Sequence, residues 1–117
     1  MRGEKNFMLS KNEMPDCPVA TTVKLIGSKW KLLILRNLLL RSYRFNELKK
    51  SLAPISHKVL TESLRSMEND GIVARRIYET RPRSVEYYLT ELGLSLKPML
   101  LEMEKWGNFY KEYLRDN

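Results

Sequence analysis

Apolar positions along the chain change their spacing several times, and each change marks an element. Residues 1–15 are polar and aperiodic and read as a flexible amino-terminal arm. Asp16-Cys17-Pro18 then resembles a helix start, with an acid able to cap and a proline whose missing N–H costs nothing in the first turn. Val19, Val23 and Ile26 follow at i, i+4 and i+7, and Gly27 closes this short helix. Ser28 can cap a second helix through Leu40. Its Trp30, Leu32, Leu33, Ile34, Leu35, Leu38 and Leu39 are apolar almost all round, the pattern of a central buried helix.

Two shorter helices come next. Phe45, Leu48 and Leu52 space as i, i+3 and i+7 over residues 45–52, and Ala53-Pro54 interrupts them because the residue before proline resists helical angles. Ser56 caps a helix to about Asn69 with Leu60, Leu64 and Met67 inward, and Gly71 stops it. Helix, tight break, helix is a helix-turn-helix outline. Ile72 to Tyr78 and Val85 to Leu89 are strand-like around a turn holding Arg81 and Arg83, so the outline gains a hairpin wing. Thr90 caps a last helical segment with a kink or break at Pro98. Its Leu92, Leu96, Met99, Met103, Trp106, Tyr110 and Tyr113 approach a heptad seam. A seam of about three heptads exceeds what so small a core needs, which predicts that part of it packs on a second subunit. The fold class expected is mainly α with a small β-hairpin, a winged helix-turn-helix domain over residues 16–117.

Charge sharpens this picture. The 117 residues hold 21 Lys and Arg against 14 Asp and Glu, a net of +7. From Lys29 to Arg83 there are 13 basic and 5 acidic residues, a net of +8, so the whole surplus lies in the middle of the chain. Such a surplus fits a polyanionic partner or a merely solvated basic face. The longest apolar run, Leu32 to Leu35, is far short of the roughly 18 residues of a membrane span. No secretory signal is apparent, so a cytoplasmic protein with no membrane partner is expected. One cysteine closes no intrachain disulfide and one histidine supplies no His-based metal site, so neither metal nor cofactor is expected. His57 has no nucleophile to serve as base, and no residue set supports an enzyme.

The candidate chemistry is recognition. With Ser56 at its head, the helix to Asn69 offers His57, Lys58, Thr61, Glu62 and Arg65, of which Lys58, Thr61, Glu62 and Arg65 form one stripe. Such a helix fits the DNA major groove, where Arg bonds two guanine acceptors and Thr meets a thymine methyl. Arg81 and Arg83 suit phosphates or the minor groove, and Arg44, Lys49 and Lys50 the flanking backbone. An ordinary polar face stays open as an alternative.

The chain resembles the HxlR-type bacterial transcription regulators. The matching stretches are Cys17-Pro-Val19, Leu25-Ile-Gly-Ser-Lys-Trp-Lys31, Arg44-Phe-Asn-Glu-Leu48, Ile55-Ser-His-Lys-Val-Leu-Thr61, Leu64-Arg-Ser-Met-Glu-Asn-Asp-Gly71 and Val85-Glu-Tyr-Tyr-Leu-Thr90, within residues 17–107. The resemblance implies a homodimer on a palindromic double-stranded operator, dimerising through the first and last helices. Here those helices carry Val19, Val23, Leu96, Met99, Met103, Trp106 and Tyr110. Arg41 stands where the family commonly has glycine, Ala53-Pro54 replaces a common Pro-Gly, and Arg83-Ser84 replaces a frequent Pro-Arg.

Some members of the family sense oxidants or electrophiles at the position of Cys17. A thiol at a helix amino end is favoured by the dipole as thiolate, the reactive form, while Asp16 beside it opposes that. A cysteine that merely packs is the other reading. A winged-helix module that dimerises and binds protein instead of DNA is the alternative to the regulator as a whole.

Overall fold

The structure, a computed structural model, describes residues 14–117. The arm expected over residues 1–15 therefore lies almost wholly outside them. Its last residue, Pro15, accepts a hydrogen bond from the Thr21 hydroxyl at 3.2 Å.

Helix α1 spans Pro18–Ile26 and α2 spans Lys29–Leu40. Pro18 opens α1 as expected, but the N-cap is Cys17, whose side chain makes no capping hydrogen bond. Asp16 is one position too early to act as the capping acid. Ser28 does cap α2, accepting from the Lys31 N–H at 3.2 Å. Of α2, Ile34, Leu35 and Leu38 are buried in the core and Trp30, Leu32, Leu33 and Leu39 pack against it half-buried, while Leu40 is 78% exposed. The seven apolar positions expected to make this a central helix all meet the core, four of them only in part.

Strand β1 (Tyr43–Arg44) leads directly into α3 (Phe45–Ser51), and α4 runs His57–Asn69. Ser56 caps α4 through the Val59 N–H at 3.1 Å. Gly71, at φ 80°, supplies the left-handed turn that ends it, a conformation costly for any residue with a Cβ. Strands β2 (Val73–Tyr78) and β3 (Ser84–Leu89) form the expected hairpin, in register from Val73 opposite Leu89 to Tyr78 opposite Ser84. The hairpin is not alone, however. β1 pairs antiparallel with β3, Tyr43 opposite Tyr87 and Arg44 opposite Glu86, giving a three-stranded sheet ordered β1-β3-β2.

The last segment is two helices, α5 (Glu91–Leu94) and α6 (Lys97–Asp116), so the break precedes Pro98, which sits in the first turn of α6. The Thr90 hydroxyl caps α5, accepting from the Gly93 N–H at 3.1 Å while donating to the Gly71 carbonyl at 2.6 Å. One side chain thus fastens the end of the wing to the end of α4.

Ile34, Leu35, Leu48, Leu60, Leu64, Met67 and Val73 are fully buried, drawing α2, α3, α4 and β2 onto one core. Each such side chain contributes about 1.5–3 kcal/mol of burial. Leu96, Met99 and Leu100 pack against the same core, but no residue of α6 is itself fully buried. In the carboxy-terminal half of α6, Trp106, Phe109, Tyr110, Tyr113 and Leu114 are exposed.

Candidate nucleic-acid interface

Leu60, Ser63, Leu64 and Met67 turn one side of α4 into the core, which leaves Lys58, Glu62 and Arg65 exposed on the opposite side and Thr61 half-buried between. The expected stripe is therefore presented as one surface. His57 is also exposed, but it is held. Its Nδ1 lies 3.4 Å from the Thr61 hydroxyl and its ring meets Phe45 with centroids 4.9 Å apart. Phe45 opens α3, so this contact sets the first turn of α4 against the preceding helix. Ser56 spends its hydroxyl oxygen on the cap.

Arg44 is exposed at the head of α3, where its backbone N–H donates to Glu47 Oε1 at 2.8 Å. That bond, with help from Arg41 and against some desolvation, holds the Glu47 carboxyl below its usual value. Lys49 is half-buried and Lys50 exposed on the same helix. Arg41, at the position where the family commonly has glycine, is fully extended at φ −171°, so no glycine is required there. Its guanidinium lies over the Tyr43 ring at 3.7 Å and donates to the Ser42 carbonyl at 2.7 Å.

At the wing tip Arg81 and Arg83 are both exposed. Arg83 lies 3.6 Å from Glu79, whereas Arg81 makes no ion pair with any described residue. The two arginines of β2 are engaged instead: Arg75 pairs with Glu68 at 3.0 Å, and Arg76 pairs with Glu86 at 3.3 Å and lies over Tyr88. The basic surplus thus divides into cations tied within the fold and cations offered outward. Lys58, Arg65, Arg81 and Arg44 belong to the second group. Sequence reasoning passed over Tyr87, half-buried on β3, whose hydroxyl is pushed up from the ordinary phenol value by burial, with Arg75 and Arg65 pulling it back and Glu68 adding to the rise.

Cys17 is exposed at the head of α1, where its carbonyl receives the Thr21 N–H at 3.0 Å. On the same helix Val19 and Val23 are exposed, as are Met103, Trp106, Tyr110 and Tyr113 on α6. Trp106 stacks on Tyr110 and Tyr110 on Tyr113, with centroids 5.4 and 6.3 Å apart. Leu96 and Met99, by contrast, are partly spent on the protomer's own core. Phe109 and Leu114, which the heptad spacing leaves out, are exposed beside the aromatic row. They were legible only as additional apolar positions three and four residues from Trp106 and Tyr110. Among the described residues no cluster of His, Cys, Asp or Glu has the makings of a metal site. No helix there is long and apolar enough to cross a membrane.

A helix-turn-helix whose second helix presents a polar stripe, followed by a basic hairpin, defines a winged helix-turn-helix DNA-binding protein. Residues 25–115 match the HxlR-like helix-turn-helix family, and the chain belongs to that family. It is 43% identical over 103 residues to the HTH-type transcriptional regulator YdeP of Bacillus subtilis (strain 168), covering 88% of this chain and 80% of that one. Among solved structures, the redox regulator HypR in its reduced form matches with a TM-score of 0.80 and 39% identity, over 86% of this chain and all of that one. The reduced transcriptional regulator YodB of B. subtilis matches with a TM-score of 0.71 and 34% identity, over 80% of this chain and 93% of that one. The protein is a transcriptional regulator of the HxlR type.

Proposed function

We propose that this regulator is a binding protein without catalytic activity that acts as a homodimer on a palindromic operator. Each α4 lies in a major groove and each wing on the flanking backbone. The observation that carries this reading is the exposed stripe of Lys58, Thr61 and Arg65 on a helix fixed at its head by the Ser56 cap and the His57–Phe45 contact. Arg65 is the base-reading residue, and Arg44, Lys49, Arg81 and Arg83 neutralise phosphates. The dimer is held by the aromatic row of α6 with α1 alongside, a reading supported by the exposure of Trp106, Tyr110, Val19 and Val23 among the described residues.

Cys17 is the signal-sensing group of this reading. Its exposure at the head of α1 supports that role, as does the likeness to proteins described as the redox regulator HypR and the diamide-treated YodB. One cysteine per chain restricts a protein disulfide to the two Cys17 residues of a dimer, which needs their Cα atoms within about 7 Å, or else to an adduct with a small thiol.

A mobility-shift series across salt concentrations, on promoter fragments retained from genomic DNA, tests the reading. Affinity should fall with log–log slope of roughly 0.9 per phosphate neutralised. Absent or salt-independent DNA binding would instead identify a winged-helix module that dimerises and binds protein.

A further inference from the structure

Helices α2 and α6 leave an open groove of about 680 Å³ between them. Leu32, Leu33 and Leu39 face it from α2, and Leu100, Leu101 and Met103 from α6. Its size is that of a small-molecule site, which typically combines an apolar lining with a few polar groups. The rim supplies them: Lys29, Arg36 and Lys97 against one carboxylate, Glu104. None of the three cations makes an ion pair with a described residue.

The groove is distinct from the aromatic row. Lys97, Leu100, Leu101 and Glu104 recur at i, i+3, i+4 and i+7 and so share one side of α6, whereas Met99, Trp106, Tyr110 and Tyr113 share another. Only Met103 borders both. A partner packed along the aromatic row therefore leaves the Leu101 side of α6 open.

Arg36 also connects the groove to the helix-turn-helix. Its Nε and Nη2 donate to Asn37 Oδ1 at 3.3 and 3.2 Å, and Asn37 Nδ2 donates to Ser51 Oγ at 2.8 Å. Asn37 is 3% exposed, and Ser51 is the last residue of α3, three positions before Pro54 in the turn to α4. Arg36 thus lines the groove while donating to a buried amide that bonds the end of α3, so a ligand competing for its guanidinium acts on that amide.

We infer that the α2–α6 groove is an effector site for an organic anion with an apolar body, an aromatic or medium-chain carboxylate. The leucines take the body, Arg36 and Lys97 take the carboxylate, and the Arg36–Asn37–Ser51 chain passes occupancy to α3. This rests on the proposed DNA-binding role only for its output; binding to the groove stands without it.

The probe is 2-naphthoate, titrated calorimetrically into the full-length protein, with methyl 2-naphthoate as the uncharged control. Saturable binding of one molecule per chain is expected, weakened about tenfold or more in the ester and in Arg36→Gln and Lys97→Gln, each confirmed folded by circular dichroism. No saturable binding at millimolar probe overturns the site, as does binding indifferent to the charge of the probe or to both substitutions. Binding seen only after Trp106→Glu has broken the dimer shows that a second copy fills the groove and overturns it equally. If the probe binds but leaves operator affinity unchanged, the link through Asn37 is wrong. If the probe binds while the protein holds no operator at all, the groove stands and the DNA-binding role fails.

Discussion

The ammonium of Lys31, on α2, lies 2.8 Å from the hydroxyl of Ser66 on α4 and 3.4 Å from the Leu25 carbonyl at the end of α1. One side chain therefore ties the first helix, which carries Cys17, to the helix that carries the recognition stripe. Lys31→Met should lower the unfolding free energy by about 1–2 kcal/mol, the scale of a partly exposed charged hydrogen bond. In urea denaturation, Lys31→Met and Ser66→Ala together should cost less than the two separately, because they remove one shared bond.

Asp70 supplies a pH-dependent measurement at the same place. It follows the last turn of α4, and burial raises its carboxyl above the ordinary aspartate value, with Lys31 pulling it partway back. A carboxyl raised on folding contributes stability below its unfolded value, and that contribution is lost as pH rises through the folded value. At neutral pH the ionised group is therefore a cost, increased by its position at a helix carboxy end. Asp70→Asn should raise the melting temperature at pH 7, with the advantage shrinking to nothing as pH falls below the ordinary aspartate range.

Arg65 and the wing should divide affinity between them. Arg65→Ala should cost about 1–3 kcal/mol on the preferred operator and relax selectivity at one base pair. Arg83→Ala should weaken all sequences alike and reduce the salt slope by about one. Equal loss by Arg65→Ala on specific and random DNA contradicts this division.

For the dimer, Trp106→Ala should cost about 2 kcal/mol, roughly thirtyfold in subunit dissociation constant, and Tyr110→Ala a similar amount. Sedimentation equilibrium reads both directly. A wild-type chain that is monomeric at tens of micromolar, roughly, removes the premise.

Cys17→Ser should bind operator as the wild type does and lose the response to diamide. Operator affinity measured before and after oxidant decides it: a wild type that loses none, or a Cys17→Ser chain that loses as much, returns Cys17 to a packing role.

Much of this was legible in the sequence because it is local. Ser28, Ser56 and Thr90 cap the helices they precede, since a hydroxyl and the N–H groups it serves are three residues apart. Leu60, Leu64 and Met67 turn inward at helical spacing. β1 was not legible, because two residues show no period and Tyr43 meets its partner Tyr87 more than forty positions later. The same limit applied to the cations. Arg76 is tied to Glu86 by the register of the hairpin, and Arg75 to Glu68 across two elements. A count of basic residues does not separate either from Arg81. Leu32, Leu33 and Leu39 of α2 reach the core only half-buried, because an apolar pattern does not record how completely each position is covered.

The short strand β1 has a mechanical consequence. It joins α2 to α3 and at the same time borders β3, so the strand leading into the helix-turn-helix is also the edge of the wing's sheet. Wing and recognition helix are thereby one casting, and the distance between what each touches on DNA is set when the chain folds. Operators for this protein should keep a constant length within each half-site, and variation should fall in the spacer between the halves, the dimension a change between subunits can alter.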